Sequence, residues 1–224
     1  MFKALMTVQW KWSRVIVLLA AIFGFAIPVL SVQSSSPSYF DYGFNGNPRV
    51  DGRMLVTSME SYGTAYAALA AGLGLALAIL AWSADHRGRH VYALSLPTTR
   101  TRYAAMRFGA GVVFLLVPAV SVLLGSLVAL WLTQLPAGLH AYPLSLTLRF
   151  FLASLVAFSL FFAISSATAK SAGIVLGAIA VFVVLAAVMA SATNFDLAGR
   201  VATFLFFEPG ILAVFTGRWS LIDV

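Results

Sequence analysis

Long apolar blocks alternate with shorter polar segments along the whole chain. Five apolar runs follow one another, at residues 15–32, 62–82, 108–132, 146–167 and 172–192. Each is within the range of about 17–25 residues that an α-helix needs to cross a bilayer. The pattern therefore predicts an all-α integral membrane protein, a multi-span helical bundle that forms a single transmembrane domain over residues 1–224.

The segment before the first span, residues 1–14, is patterned as an amphipathic interfacial helix. Polar residues recur in it at intervals of three to four positions, namely Lys3, Thr7, Lys11 and Arg14. Because such positions share one face of a helix, the segment is predicted to lie on the membrane surface. The alternative is that these residues are simply the flanking charges of the first span. Both interpretations place the N-terminus in the cytoplasm.

The C-terminal segment, residues 193–224, differs from the spans in the length of its apolar pieces. Residues 201–207 and 211–215 are apolar, but Glu208-Pro209-Gly210 separates them. Neither piece approaches the roughly 20 residues that a span requires. We expect an external re-entrant or interfacial segment with short helices. Because five spans leave the bundle with an odd count, we also expect a sixth span to be missing from this sequence.

Composition supports the membrane assignment and excludes several classes of site. Charged residues make up 9% of the chain, against about 25% in soluble domains, and hydrophobic residues make up 61%. The chain has no cysteine, so disulfides, thiolate metal sites and cysteine nucleophiles are excluded. The net charge of +7 comes from bases that flank apolar runs, which favours contact with anionic lipids of the bilayer over nucleic acid.

The distribution of basic residues predicts the orientation. Nine of the fourteen Lys and Arg residues fall on the side that holds residues 1–14 and the loop 83–107, and five fall on the other side. Clustered bases beside spans stay in the cytoplasm. The loop 83–107 is therefore predicted to be cytoplasmic, in a membrane that would be the inner membrane of a bacterium.

The second span is rich in small residues at helical spacing. Ala68, Gly72 and Ala76 form one row, which we take as the candidate helix-packing surface, and Ala70, Gly74 and Ala78 form another. Small residues at this spacing let two helix backbones approach closely. The spacing alone leaves open whether the partner helix belongs to the same chain or to another subunit.

The sequence carries no recognisable catalytic motif. No ionisable residue falls in the middle of a predicted span, which argues against ion-coupled transport. Motifs of the GxSxG, HExxH and Walker types are also absent, so the chain itself is not expected to be an enzyme. One alternative is a membrane-embedded metal-dependent enzyme that uses His86 and His90, spaced i, i+4, although zinc usually needs a third ligand. Another is an assembly or structural membrane protein.

The loop at residues 83–107 is the most distinctive segment, and we interpret it as a docking surface for a soluble partner. Its charged residues can form charge-assisted contacts, its apolar residues can fill a groove, and its proline ends a short helix. The candidate docking residues are Asp85, Arg87, Arg89, Tyr92, Leu94, Leu96, Pro97, Arg100 and Arg102. The alternative is an ordinary basic cytoplasmic loop.

The same loop resembles the permease subunits of type-2 ATP-binding-cassette exporters. The likeness lies in an acidic residue at the end of the second span, a short helix, and the motif Leu94-Ser95-Leu96-Pro97-x-x-Arg100-x-x-Tyr103 before the third span. The chain departs from the family pattern where Asp85 is followed by His86, Arg87 and Gly88, and in lacking the sixth span.

The resemblance implies a membrane permease that contains no ATPase domain of its own. A separate ATP-binding-cassette ATPase subunit would hold ATP and Mg and would dock on the loop, while this chain would carry no cofactor. The permease would pair with a second copy or with a paralogous permease. The expected substrate is hydrophobic or amphipathic.

Overall fold

The computed structural model describes residues 2–41, 62–87, 99–132 and 139–166, together with 173–175, 177–178, 180–181, 184–185, 188, 204, 210, 212–216 and 219–223. In chain order the elements are α1 (Phe2–Asp41), α2 (Gly63–Arg87), α3 (Arg100–Trp131), β1 (His140–Ala141), α4 (Pro143–Ser165), α5 (Ala213–Thr216) and β2 (Ile222–Asp223).

Helices α1 to α4 are each long and apolar enough to cross a membrane. Their candidate spans are 30, 21, 31 and 23 residues long. The prediction of an all-α, multi-span membrane bundle is therefore confirmed, and the chain is a helical integral membrane protein. The predicted fifth span, residues 172–192, is described at only ten positions from 173 to 188, which are helical and exposed. Its limits lie outside the described residues.

Helix α1 differs from the prediction because it has no boundary between residues 14 and 15. The helix is continuous from Phe2 to Asp41, so the predicted interfacial helix and the first span are one element. Ser13 donates a hydrogen bond from Oγ to the carbonyl of Gln9 over 2.8 Å, and both residues are buried. One face of the turn around residue 14 thus packs against the bundle, while Lys11 and Arg14 are exposed.

Helix α3 begins at Arg100, eight residues before the predicted start of the third span at residue 108. Pro97 precedes the helix, and the N–H of Tyr103 donates to the carbonyl of Thr99 over 3.0 Å. A proline disfavours helical structure at the residue before it but is tolerated just ahead of a helix. The polar residues that follow Arg100 therefore belong to the helix and not to the loop.

Helices α1 and α3 pack in parallel along most of their length. Phe2 lies beside Gly109 and Phe25 lies against Gly125, so the N-terminal ends of both helices are at the same end of the bundle. Ser121 donates from Oγ to the carbonyl of Ala21 over 2.6 Å. Such close approach of backbones requires small residues at the contact.

Helices α2 and α4 meet at the second row of small residues. A Cβ atom added at Gly74 would lie 2.6 Å from Cβ of Ala157 and 2.8 Å from the carbonyl oxygen of Ser154. Ala70 and Ala78, one turn to either side of Gly74, are fully buried. The interpretation that a small-residue row packs within the chain is therefore correct for the row of Ala70, Gly74 and Ala78.

The row of Ala68, Gly72 and Ala76 faces outward. Ala68 and Gly72 are exposed, Ala76 is half-buried, and among the described residues nothing lies within 4 Å of a Cβ added at Gly72. The reason is rotational, because α2 turns its other small-residue face toward α4. The role of this candidate row as a helix-packing surface stays a prediction.

We expect Gly74→Leu to destabilise the bundle, because the added side chain has to separate α2 from α4. Overpacking at a close helix contact costs about 1–3 kcal/mol, and more where backbone must move. Thermal unfolding of the purified chain in detergent measures the effect. The control is Gly177→Leu, at an exposed glycine where nothing described lies within 4 Å of an added Cβ, and it is expected to leave the unfolding temperature unchanged. Equal losses in both variants would contradict the assignment.

Candidate functional site

A buried cluster of polar side chains joins α2 to α3 at the end of the bundle where the loop 88–98 leaves and returns. Nη2 of Arg107 lies 3.1 Å from Oδ1 of Asp85. The hydroxyl of Tyr103 lies 3.2 Å from both carboxylate oxygens and accepts a hydrogen bond from Nη2 of Arg107. Nη1 of Arg107 donates to the carbonyl of Ala81. We call Trp82, Asp85, Tyr103 and Arg107 the ion-pair cluster.

Helical spacing explains why these residues meet. Tyr103 and Arg107 are four residues apart in α3, so they share one face of that helix. Ala81 and Asp85 have the same spacing near the end of α2. Arg107 therefore spans one full turn of the neighbouring helix, from the carbonyl of Ala81 to the carboxylate of Asp85. It also places a positive charge at the C-terminal end of α2, where exposed carbonyl dipoles favour a cation.

The ion-pair cluster is buried and lined by aromatic rings. Asp85 is 2% exposed and Arg107 is 6% exposed. The guanidinium carbon of Arg107 lies 5.6 Å from the centroid of the Trp82 ring and 4.9 Å from that of the Tyr103 ring, within range for cation–π attraction. Trp82 in turn packs on Phe162, with centroids 5.2 Å apart. Attraction between the two charges is strong in these surroundings because water does not screen it.

Phe162 belongs to an aromatic layer that closes the ion-pair cluster from the rest of the bundle. Phe108, Phe158 and Phe162 contact one another with centroids 5.3–5.4 Å apart. Gly111 provides the space for this layer, because a Cβ atom there would overlap the ring of Phe158. Three helices, α2, α3 and α4, thus contribute to the surroundings of one ion pair.

Some polar atoms in this part of the bundle have no hydrogen-bond partner among the described residues. They are Nε1 of Trp82, Nε of Arg107 and both side-chain amide atoms of Gln9 in α1. A buried donor without an acceptor costs about 1–3 kcal/mol. The cluster is therefore not arranged for the greatest possible stability.

A second set of contacts, which we call the outer clasp, holds the opposite end of the bundle. The rings of Tyr66 in α2 and Trp219 are nearly parallel, at 5°, with centroids 6.1 Å apart. The guanidinium carbon of Arg149 in α4 lies 5.1 Å from the centroid of the Trp219 ring, and its Nε–H donates to the carbonyl of Val214 over 3.0 Å. Trp219 therefore lies between α2 and α4.

A short sheet completes the outer clasp. Strand β1 pairs antiparallel with β2, with His140 opposite Asp223 and Ala141 opposite Ile222. The N–H of Tyr142 donates to the carbonyl of Leu221 over 2.8 Å, and Leu221 and Ile222 are buried. Arg149 contacts this C-terminal segment, which we call the tail, because the segment offers it both a carbonyl and an aromatic face.

The structure describes the side chains of two of the predicted docking residues, Arg102 and Asp85. These two side chains lie in different surroundings. Arg102 is exposed near the start of α3, as a surface role requires. Asp85 is buried, and this corrects the expectation that its carboxylate faces a partner, because Tyr103 and Arg107 already use its oxygens. Arg87 and Arg100 lie in helices whose side chains there are not described. Arg89, Tyr92, Leu94, Leu96 and Pro97 lie outside the described residues, as does His90.

The sequence interpretation missed the roles of Tyr103, Arg107 and Trp82. The sequence pattern identifies Tyr103 only as part of the loop motif and Arg107 only as one of the basic residues of the loop. The available signal was an acid near the end of one helix followed by a tyrosine and an arginine at i, i+4 near the start of the next. A short loop brings such helix ends together, and charges of opposite sign then pair.

The end of the bundle that carries the ion-pair cluster is also basic on its surface. Exposed bases there are Lys3 and Arg102, near the N-terminal ends of α1 and α3. Lys11 and Arg14 are also exposed, but they follow Trp10, which packs on Phe114 farther along α3. Among the described residues, no three His, Asp or Glu side chains come together as metal ligands would. The features that remain are a basic surface and a buried ion pair beside the loop.

Comparison of the chain with protein-family models, with curated proteins and with solved structures finds no match.

We expect Asp85→Ala to be strongly destabilising, because it leaves the positive charge of Arg107 buried and unpaired. Removing one partner of a buried ion pair costs about 3–5 kcal/mol. Thermal unfolding in detergent or lipid nanodiscs measures the loss. The control is Asp196→Ala, which removes an acid distant in sequence from the cluster. A change of less than about 1 kcal/mol in Asp85→Ala, the value typical of a surface pair, would show that the pair is not buried.

We expect Trp219→Ala to release the tail from the outer ends of α2 and α4. The substitution removes the ring that Tyr66 and Arg149 contact, and truncating a buried tryptophan costs about 3–5 kcal/mol. Hydrogen exchange of residues 210–223 should accelerate, with little change near Asp85. Uniform acceleration through the bundle would indicate global unfolding in place of local release.

Proposed function

We propose that the chain is the transmembrane permease subunit of an ATP-driven exporter. A separate ATPase subunit docks on the loop 88–98 and its flanks, and ATP binding and hydrolysis in that subunit move the spans. The observation that carries the proposal is the position of the ion-pair cluster: both roots of the loop are fixed to each other by Asp85 and Arg107. A loop anchored in this way can pass a displacement to two spans.

The charge distribution supports the proposed orientation. The exposed bases Lys3 and Arg102 lie at the end of the bundle from which the loop leaves. Because bases beside spans favour the cytoplasmic side, this end would face the cytoplasm, where an ATPase has access to ATP. The outer clasp would then lie on the external face.

Pairing of two permeases is part of the proposal. The outward row of Ala68, Gly72 and Ala76 gives α2 a smooth surface that a helix of a second copy or of a paralogous permease can approach. Substrate would then move between or alongside the two subunits. Apolar spans suit a hydrophobic or amphipathic substrate, since polar groups are costly inside the bilayer.

The sharpest test combines two substitutions in the proposed docking surface. We expect Leu96→Asp and Arg102→Glu each to abolish stimulation of ATP hydrolysis in a co-expressed ATPase, without affecting membrane insertion. Loss of a central interface anchor costs about 2 kcal/mol or more, which weakens docking about 30-fold. The measurement is the ATPase rate and the amount of ATPase retained on the purified permease, using an ATP-binding-cassette ATPase co-expressed with this chain.

The control for that test is Lys11→Glu, which reverses an exposed charge on α1, outside the loop and its flanks. Its ATPase stimulation should equal that of the unchanged chain. Normal stimulation in both Leu96→Asp and Arg102→Glu would refute docking at the loop. If no ATPase associates with the unchanged chain, the proposed function itself fails.

A further inference from the structure

We propose that Asp85, Tyr103 and Arg107 are positioning residues that together form a rigid joint. The joint makes the ends of α2 and α3 beside the loop 88–98 move as one body. The joint is a property of this chain alone. Its use in passing motion from an ATPase to the spans rests on the proposed function.

The first argument is geometric. Arg107 reaches the carbonyl of Ala81 and the carboxylate of Asp85, one turn apart in α2, while it also bonds to Tyr103 in its own helix. Two attachment points along one helix prevent sliding, and the directional guanidinium fork resists rotation. An apolar contact of the same area would allow both movements.

The second argument concerns why charges are present at this place. The surroundings are aromatic, with Trp82, Phe108 and Phe162 close by, and they would accept apolar side chains in place of the pair. Replacing a buried ion pair with apolar residues of similar volume is often neutral or stabilising. Two buried donors, on Trp82 and Arg107, also lack an acceptor among the described residues. Fixing the register between two helices is therefore a better account of the pair than stability.

The third argument is the position of the joint in the chain. It lies directly at the roots of the loop 88–98, with Asp85 three residues before the loop and Tyr103 five residues after it. A displacement applied to the loop therefore enters both helices at the level where Arg107 joins them.

The test is a pair of spin-label distance measurements in lipid nanodiscs, which the chain suits because it has no cysteine of its own. Labels replace Ile79 and Val113, exposed positions close to the joint on α2 and α3. A second pair replaces Ala68 and Val120, exposed positions toward the outer ends of the same helices. Labelled chains are diluted with unlabelled ones so that only distances within one chain are recorded.

The decisive variant is Asp85→Leu with Arg107→Met, which removes the ion pair but keeps the volume apolar. We expect its unfolding temperature to stay near that of the unchanged chain, while the distance distribution between positions 79 and 113 broadens. The distribution between positions 68 and 120 should broaden less. An unchanged width at 79 and 113 overturns the joint.

A conservative variant guards against a failure of the double substitution to fold. Arg107→Lys keeps the charge, but an ammonium group cannot reach Asp85 and the carbonyl of Ala81 together as the guanidinium does. We expect a smaller broadening at positions 79 and 113 in a folded chain. If the double variant is unfolded, Arg107→Lys decides the question. An unchanged distance distribution between positions 79 and 113 in Arg107→Lys then overturns the proposal.

A second arm separates the joint from the proposed function. In the complex with its ATPase, the double variant should retain the bound ATPase but lose stimulated hydrolysis by about tenfold, the scale of coupling changes along a connected network. Normal stimulation despite a broadened distance would overturn the transmitting role. If the unchanged chain binds no ATPase, the proposed function fails, whereas the distances in the isolated chain still decide whether the joint exists.

Discussion

The contact between Asp85 and Arg107 is the constraint on which the arrangement of the bundle depends. Moving two charges out of water is costly, and the cost is offset only where the ions meet each other and find further hydrogen bonds. Tyr103 and the carbonyl of Ala81 supply those bonds, and aromatic rings from three helices surround the pair. The pair thus permits only one relative height and rotation of α2 and α3, and α4 is held by the rings that surround the pair.

Helix α2 is held in three different ways along its length. Charges fix its inner end to α3, a glycine lets its middle approach α4, and Tyr66 stacks on Trp219 at its outer end. Directional polar contacts are thus concentrated at the ends, and close apolar packing occupies the centre, where the bilayer makes polar groups most costly. Helix α1 reaches this assembly mainly through α3, which it follows in parallel.

Much of the fold could be predicted from the apolar blocks, but the limits of the helices could not. A span predicted from hydropathy ends at the first charged residue, whereas a helix continues as long as its backbone hydrogen bonds continue. Helix α3 therefore begins at Arg100, ahead of the predicted start at residue 108, and α1 begins at Phe2, ahead of residue 15. The two small-residue rows of α2 have equal sequence signals, and only the position of α4 distinguishes them. Asp85 looked like a surface acid because its partner, Arg107, lies 22 residues away across a loop. The docking role of that loop stays a prediction.

The outer clasp has a consequence for the order in which the protein is assembled. Trp219 and strand β2 follow all four long helices in the chain, yet they join α2 and α4 at their outer ends. During synthesis these helices enter the bilayer before the ribosome has made the residues that tie them together. Until then, only contacts between the helices themselves, such as the one at Gly74, hold α2 against α4. Closure of the tail is therefore a late step, which secures an arrangement that helix packing has already selected.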